Sequence, residues 1–270
     1  MTAQAVRERA AIDANTTEAI ADALWAAWHQ GRHMPAEWMG RLSMDQAYRV
    51  QLALLDRFAA IGERQAGWKV GLTAAAMRAQ WNIHEPCFGF LLASGHKPAG
   101  HHFRFSGITA PGFENELCLR VGSRLAGPGV ALEQAVAAIS HAAPALEIVE
   151  KRGPFSEDIA LAMADNAQQY AFVTGAEVAL TPANRDFAGA TVEVDINGAV
   201  IDRATGAEVM GGGAFLSVQW LANKLAEFGR ALEPGQLIMS GSFTKQYPIA
   251  HGDLIASRFV PFGTVSASFA

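Results

Sequence analysis

The sequence has few cysteines and little charge, and it lacks long uncharged hydrophobic runs. Cysteine occurs only at Cys87 and Cys118, which excludes a disulfide framework and favours a reducing compartment. The net charge is −5 and there is no basic run, so nucleic acid and anionic membrane surfaces are poor partners. No apolar stretch approaches the ~18 residues of a membrane span, and the charged N-terminus lacks the apolar core of a signal peptide. We therefore expect a cytoplasmic protein that binds neither nucleic acid nor membranes.

Several common catalytic motifs are also missing. The chain has no G-x-S-x-G nucleophile elbow, no Walker phosphate loop, no H-E-x-x-H and no paired C-x-x-C, which argues against the enzyme classes and zinc sites built on them. His101 and His102 are adjacent, but neighbours on a strand face opposite sides and cannot easily share a metal. We interpret these two histidines as loop residues.

The hydrophobic fraction of 50% supplies a sizeable core, and the order of elements indicates the class. Amphipathic helices fill the first third, and a strand-rich body with a few helices follows, which predicts an α+β fold. We place an N-terminal helical region at 1–65 and a β-rich catalytic domain at 66–270, the two forming one integrated domain. Proline and glycine punctuate residues 82–111, which we predict to be rich in loops.

Three carboxylates lie in predicted strands. Glu114 and Glu116 share one face of the strand at 110–121, about 7 Å apart, and Glu147 lies in the otherwise apolar strand at 143–150. An ionised carboxylate is costly to bury without a cation or hydrogen bonds, and an all-oxygen set suits Mg²⁺ or Mn²⁺. Because E-x-E is a common pattern, spacing alone favours the alternative, in which the glutamates lie on solvated strand faces.

Lys69 and two polar segments add further candidates. Lys69 lies mid-strand between Gly67 and Gly71, where a lysine faces either water or a buried anion; an edge strand is the alternative. The segments 165–166 and 241–244 could supply amide and hydroxyl donors to a bound carboxylate, although such residues are most often found at helix ends and turns.

These segments together resemble the fumarylacetoacetate hydrolase superfamily. The resemblance is greatest to its branch of 2-oxo-4-pentenoate (2-hydroxypentadienoate) hydratases and 4-oxalocrotonate decarboxylases of aromatic catabolism, and it covers roughly residues 15–270. The matching segments are GWKVGLT (67–73), EPCFG (85–89), PGFENE (111–116), PALEIV (144–149), ADNA (164–167), WLANKL (220–225) and GSFT (241–244).

The resemblance implies a fold, a metal and a set of site residues. It implies a rolled, mixed β-sheet with the N-terminal helices packed outside it. It also implies that Mg²⁺ or Mn²⁺ chelates a 2-oxo acid and stabilises its enolate as a Lewis acid. The implied site residues are Glu114, Glu116 and Glu147 as metal ligands, Lys69 as the catalytic lysine, and Asn166, Ser242, Thr244 and Cys87 at the substrate.

Cys87 departs from the pattern of the hydratases, which usually carry an aspartate at that position. The following Phe88-Gly89-Phe90-Leu91 is decarboxylase-like, whereas G-S-F-T at 241–244 is hydratase-like. We predict a hydro-lyase of the 2-oxo-4-pentenoate hydratase kind first and a 4-oxalocrotonate decarboxylase, a carboxy-lyase, second. A carbon–carbon hydrolase acting on acylpyruvates ranks third, because no His–Glu pair for activating water is evident.

The resemblance also implies a homo-oligomer. A complex with a partner enzyme of the same pathway stays open. A third class of function is a catalytically impaired chain that only binds a metal or a 2-oxo acid, or assists a true hydratase. Cys87 favours this class, and the intact glutamates and Lys69 argue against it.

Overall fold

The structure is a computed structural model that describes residues 14–30, 35–80, 83–153 and 157–270. The chain divides into a helical unit (1–62 and 152–168) and a sheet unit (63–151 and 169–270). The helices in the described ranges are α1 (Ala14–Gln30), α2 (Met44–Ala60), α3 (Ala75–Gln80), α4 (Leu132–Ala138), α5 (Ile159–Ala164) and α6 (Ala214–Ala226). The strands are β1 (Gln65–Gly71), β2 (Cys87–Leu92), β3 (His96–Pro98), β4 (His101–Phe103), β5 (Pro111–Val121), β6 (Ile139–Glu150), β7 (Gln169–Thr174), β8 (Val178–Ala179), β9 (Thr191–Ile196), β10 (Ala199–Thr205), β11 (Leu237–Met239), β12 (Tyr247–Pro248), β13 (Leu254–Val260) and β14 (Gly263–Phe269).

The helical unit packs α2 against both α1 and α5. A capping box starts α2: Gln46 N–H donates to Ser43 Oγ at 3.3 Å, and Ser43 N–H donates to Gln46 Oε1 at 2.8 Å. After α5, Arg152 Nε donates to Asp165 Oδ2 at 2.8 Å, and Trp28 Nε1 donates to the same carboxylate. This buried ion pair fixes the end of α5.

The sheet unit contains a nine-stranded mixed sheet in the order β2-β1-β11-β5-β6-β7-β3, with β12 added to β5 and β8 to β6. Its longest pairing joins β5 and β6 antiparallel along almost their whole length. The interior strands carry near-continuous buried runs, as expected when both faces of a strand are covered.

The second sheet of this unit has the order β10-β9-β13-β14-β4. Its hairpin of β9 and β10 turns at Asn197 (φ 56°) and Gly198 (φ 84°), the pair that tolerates positive φ at both turn positions. Because β13 and β9 alternate buried and exposed residues, one face of this sheet is buried.

The α+β prediction is confirmed, and the range 82–111, predicted to be rich in loops, has short strands between its turns. That range contains β2, β3 and β4, and His101 and His102 lie in β4 rather than in a loop. All six residues of β2 are buried, so the strand lacks the alternation that identifies a half-buried strand. Among the described residues, no helix combines the length and apolarity needed to cross a membrane.

Candidate active site

The three glutamates singled out in the sequence meet on one face of the nine-stranded sheet. Glu114 of β5 lies directly opposite Glu147 of β6 in the antiparallel register, and Glu116 follows two residues later on the same face. One carboxylate oxygen from each residue lies within 4.8 Å of the other two. This spacing would let a single small cation contact all three carboxylates.

Burial leaves much of this negative charge without a hydrogen bond. Glu116 and Glu147 are 0% exposed, and Glu114 is half-buried. Gly241 N–H donates to Glu116 Oε2 at 2.8 Å. Within the described part of the chain, Glu116 Oε1 and both oxygens of Glu147 have no hydrogen-bond partner. The solvated-face alternative is therefore wrong for Glu116 and Glu147, and buried carboxylate oxygens without hydrogen bonds suit a hard divalent cation.

Lys69 supplies positive charge beside the cluster. Its strand, β1, pairs with β2 on one side and β11 on the other, so the edge-strand alternative is wrong. Lys69 Nζ lies 3.2 Å from Glu147 Oε1, and both side chains are buried. Burial by itself would lower the pKa of Lys69, but the neighbouring carboxylates, led by Glu147, raise it above its ordinary value. The lysine is therefore a fixed cation at neutral pH.

The carboxyl groups respond to one another as well as to burial. Burial, reinforced by Glu147, raises the pKa of Glu114 to about 7 and that of Glu116 well above its ordinary value. Three ionised carboxylates and one ammonium group would leave a net charge of minus two in a buried site. Without a cation, the cluster binds protons instead.

Cys87 lies on the same sheet face as Lys69. It pairs directly with Gly71 across β1 and β2. A Cβ atom added to Gly71 would lie 3.0 Å from Cys87 Sγ and 3.3 Å from Lys69 Nζ, so the glycine leaves room for both side chains. Burial raises the pKa of the Cys87 thiol to about 11 in spite of the nearby Lys69 ammonium. The thiol is therefore neutral and of low reactivity at physiological pH.

Next to the carboxylates, the same face of the sheet carries apolar side chains. The registers place several small and large hydrophobic side chains beside the cluster. They form one buried group that comprises Ala66, Leu91, Cys118, Ala143, Ala145, Phe172, Leu237 and Met239. A low-polarity surface of this kind strengthens electrostatic interactions at the adjoining polar site.

Ser242 and Thr244 bond to a residue that the sequence analysis missed. Asn115 points away from the glutamates; its N–H donates to Ser242 Oγ at 3.1 Å and its Nδ2 donates to Thr244 Oγ1 at 2.8 Å. Its Oδ1 accepts a hydrogen bond from Ser257 Oγ at 2.6 Å, and its carbonyl oxygen accepts from Phe243 N–H at 2.8 Å. Asn115 thus ties the segment 242–244 to both β5 and β13. The roles of Ser242 and Thr244 at a substrate stay predictions.

Gly241 precedes that segment and has a constrained backbone. Its φ is +108°, and an added Cβ would collide with the side chain of Thr73. Glycine is therefore required for the chain to present this N–H to Glu116.

Asn166 lies in the helical unit, immediately after α5. It begins a turn in which Asn166, Ala167 and Gln168 have φ values of 56°, 50° and 61°, an uncommon run for residues other than glycine. The buried Arg152–Asp165 pair holds the residue just before this turn. Backbone strain of this kind is often retained at functional sites, and the substrate role of Asn166 stays a prediction.

Comparison with known proteins decides the family. The model of the fumarylacetoacetate (FAA) hydrolase C-terminal domain matches residues 65–270. The chain belongs to the fumarylacetoacetate hydrolase family. The family resemblance inferred from the sequence is confirmed, and the buried carboxylate cluster lies entirely within the matched domain.

Curated relatives of this family member lie in one branch. The chain is 35% identical over 229 residues to the 4-oxalocrotonate decarboxylase of Pseudomonas sp. (strain CF600), and the alignment covers 84% of this chain and 86% of the relative. It is 34% identical over 231 residues to the 2-hydroxyhexa-2,4-dienoate hydratase of Comamonas testosteroni, covering 84% and 87%. The chain is thus almost equally similar to a hydratase and a decarboxylase.

Solved structures agree with the predicted fold of the family. The 4-oxalocrotonate decarboxylase from Pseudomonas putida G7, complexed with magnesium and adipate, matches with a TM-score of 0.90 and 31% identity, over 96% of this chain and 99% of that one. Fumarylpyruvate hydrolase from Pseudomonas aeruginosa, complexed with Mn²⁺ and pyruvate, matches with a TM-score of 0.61 and 16% identity, over 77% and 89%. The second likeness concerns the fold alone.

Proposed function

We propose that this chain is a divalent-metal-dependent lyase that acts on 2-oxo and 2-hydroxy dienoic acids, in the first place as a 2-oxo-4-pentenoate hydratase. The observation that carries the proposal is the buried cluster of Glu114, Glu116 and Glu147. Several of its carboxylate oxygens have no hydrogen bond within the described residues, and Glu147 forms an ion pair with Lys69. The names of the curated relatives supply the substrate class.

Mg²⁺ or Mn²⁺ is the proposed cofactor, held by the three glutamates. A doubly charged cation would offset the net charge of minus two in the cluster, and carboxylate oxygens suit either ion. When bound, it would supply a Lewis acid toward the carboxylate and 2-oxo oxygens of the substrate. Magnesium and manganese are each bound by one of the solved relatives.

Lys69 holds a fixed positive charge beside the cluster. Because its pKa is raised, the ammonium group stays protonated at neutral pH. It would offset the charge of an anionic substrate and orient Glu147 through the 3.2 Å ion pair. Asn166, Ser242 and Thr244 are the proposed amide and hydroxyl contacts of the substrate.

The hydratase reaction has two steps. Loss of the 2-hydroxyl proton and addition of a proton at C5 of 2-hydroxypenta-2,4-dienoate convert the dienol into a conjugated enone. Water then adds its hydroxyl to C4 and a proton to C3, which gives a 4-hydroxy-2-oxo acid. Lys69 is the residue we assign to proton transfers in the site, as a donor, because its ammonium group lies 3.2 Å from Glu147 Oε1 in the carboxylate cluster.

Decarboxylation is the second candidate, and Cys87 favours it. The neutral thiol lies on the face that carries Lys69, where a carboxylate could otherwise assist the addition of water. A vinylogous 2-oxo acid loses CO₂ without that assistance, because its 2-oxo group accepts the electrons of the broken carbon–carbon bond through the double bond and becomes an enolate. A metal-binding or partner subunit without activity is the third candidate.

We also propose a homo-oligomer; a complex with a pathway partner remains an alternative arrangement. Sedimentation of the full chain alone would test the first proposal, and a monomer would contradict it.

A product screen distinguishes the three functions. The chain is incubated with Mg²⁺ and either 2-hydroxypenta-2,4-dienoate or 2-oxohex-3-enedioate. Loss of dienoate absorbance with a 4-hydroxy product supports the hydratase. CO₂ release from the dicarboxylate supports the decarboxylase. Inertness toward both compounds would contradict an enzymatic function in this substrate class.

A further inference from the structure

A surface cavity of the sheet unit lies at residues that the proposed reaction does not use. Its volume is about 420 Å³, within the range typical of small-molecule pockets. The walls come from β3, β4, β7 and the turns next to them. The lining residues are Ser94, Gly95, Lys97, His101, His102, Phe103, Arg104, Gly107, Tyr170 and Ala171.

The lining of this cavity carries positive charge and hydrogen-bond donors. Lys97 and Arg104 contribute two cations, and none of the lining residues is acidic, although the chain as a whole has a net charge of −5. Two carboxylates lie next to lining residues without lining the cavity themselves: Glu63 accepts a hydrogen bond from Ser94 N–H at 3.1 Å, and Glu150, which accepts one from Thr109 N–H at 2.8 Å, adds to the effect of burial in raising the pKa of Tyr170. The charged side chains that line the cavity itself are therefore all positive.

Both histidines of β4 line the cavity. His102 Nδ1 bonds to Ser268 Oγ, which leaves its Nε2 as the second polar atom of the ring. The ring of His101 packs edge-on against Phe103 at a centroid distance of 4.6 Å. Burial, with Lys97 and His102 acting in the same direction, lowers the pKa of His101. Because neighbours on a strand face opposite sides, only His102 is assigned to the ligand, although His101 lines the same cavity.

Arg104 offers a ligand in this cavity the largest number of hydrogen-bond donors. The side chain is exposed, and no residue in the described ranges accepts a hydrogen bond from its guanidinium group. A guanidinium can bind two oxygens of a carboxylate or phosphate at once. Lys97 Nζ donates to Ser94 O at 2.7 Å, which uses one of its three donor positions and holds the ammonium group at the cavity.

We infer that this cavity binds a small, multiply charged oxyanion, either a phosphate or a polycarboxylate. Arg104 would bind two oxygens, while Lys97, His102 and the Tyr170 hydroxyl would supply the remaining donors. The inference does not depend on the carboxylate cluster or on the reaction proposed for it.

Calorimetric titration of the full chain, in the presence of Mg²⁺, tests this inference. Inorganic phosphate and citrate are titrated separately, with sodium chloride of matched ionic strength as the blank. We expect saturable binding with a Kd of about 1 mM or tighter. Heat from phosphate alone would identify a phosphate site, heat from citrate alone a polycarboxylate site, and heat from both a general oxyanion site.

Two variants give the titration its specificity. A Lys97→Gln/Arg104→Gln double variant should weaken binding at least about tenfold, the equivalent of 1.4 kcal/mol. Arg124→Gln is the control, because Arg124 is an exposed arginine paired with Glu233 at 3.0 Å outside the cavity lining, and it should leave affinity unchanged. Turnover of dienoate should be the same in all three proteins.

The outcomes that would overturn the inference are specific. They are the absence of saturable binding by either anion, or equal affinity in the double variant and the wild type. A change in oligomeric state in the double variant, measured by sedimentation, would also overturn it, because the cavity would then be an interface between copies.

Discussion

Replacing Glu116 by glutamine should have opposite effects on metal binding and on the stability of the metal-free protein. Glutamine keeps the shape of the side chain and an oxygen that can accept the 2.8 Å hydrogen bond from Gly241 N–H. It removes one of three negative charges from a cluster in which the ligand oxygens lie within 4.8 Å of one another. The substitution therefore tests charge rather than packing.

The size of the effect follows from these distances. Two unit charges 4.8 Å apart repel by about 3.5 kcal/mol at an effective dielectric constant of about 20. Lys69 offsets part of this repulsion, and burial already favours the protonated form of Glu116. We therefore expect the metal-free variant to be more stable than wild type by about 2 kcal/mol at pH 8. Its affinity for Mn²⁺ should fall more than about 100-fold, since a charged ligand is lost.

Urea unfolding of chelator-treated protein measures the first quantity, and electron paramagnetic resonance of free Mn²⁺ measures the second. Glu150→Gln is the matched control, because Glu150 is a buried carboxylate of the neighbouring strand β6, is not one of the three clustered glutamates and bonds to Thr109 N–H. It should leave Mn²⁺ affinity unchanged. Unaltered Mn²⁺ affinity in Glu116→Gln, or a metal-free variant that is less stable than wild type, would refute the reasoning.

Three further predictions follow from the site. The pKa of Glu114 is raised from 4.5 to about 7. The metal-free protein should therefore lose stability as pH rises through that interval, by up to about 1.4 kcal/mol per pH unit. A melting temperature that rises with pH would contradict this. Cys87, buried with a thiol pKa of about 11, should react with a disulfide reagent at pH 8 only as fast as the protein unfolds, and rapid labelling in native buffer would be inconsistent with its burial. Asn115→Ala should lower the free energy of unfolding by about 2–4 kcal/mol, because Ser257 and Thr244 lose their buried hydrogen-bond partner. A decrease of less than about 1 kcal/mol in urea unfolding would show that these hydrogen bonds contribute little to stability.

The carboxylate cluster could be anticipated only in part from the sequence. Period-two alternation places Glu114 and Glu116 on one face of a strand, and an acid within PALEIV marks Glu147 as unusual. The direct pairing of Glu114 with Glu147 depends on the register between β5 and β6. Register is set by the packing of the whole sheet, so spacing alone could not exclude the solvated alternative.

Strand β2 and Asn115 were missed for different physical reasons. The run Cys87–Leu92 is buried throughout, so it lacks alternation, and it contains Gly89, a residue more typical of turns, opposite Lys69. The sequence did indicate that Asn115 is unusual, because this polar residue has the same strand parity as Phe113 and Leu117 and therefore lies on the apolar face of β5. A buried amide at such a position requires partners, but the sequence does not identify them as Ser257 and the segment 242–244.

The dependence of dienoate turnover on the metal tests the central claim most directly. Protein treated with a chelator and then freed of it is mixed with 2-hydroxypenta-2,4-dienoate, and absorbance is followed before and after addition of Mg²⁺. We predict no turnover before the addition and recovery of turnover after it, with no recovery in Glu116→Gln. Equal turnover with and without Mg²⁺ would contradict the assignment of Glu114, Glu116 and Glu147 as the ligands of a catalytic metal.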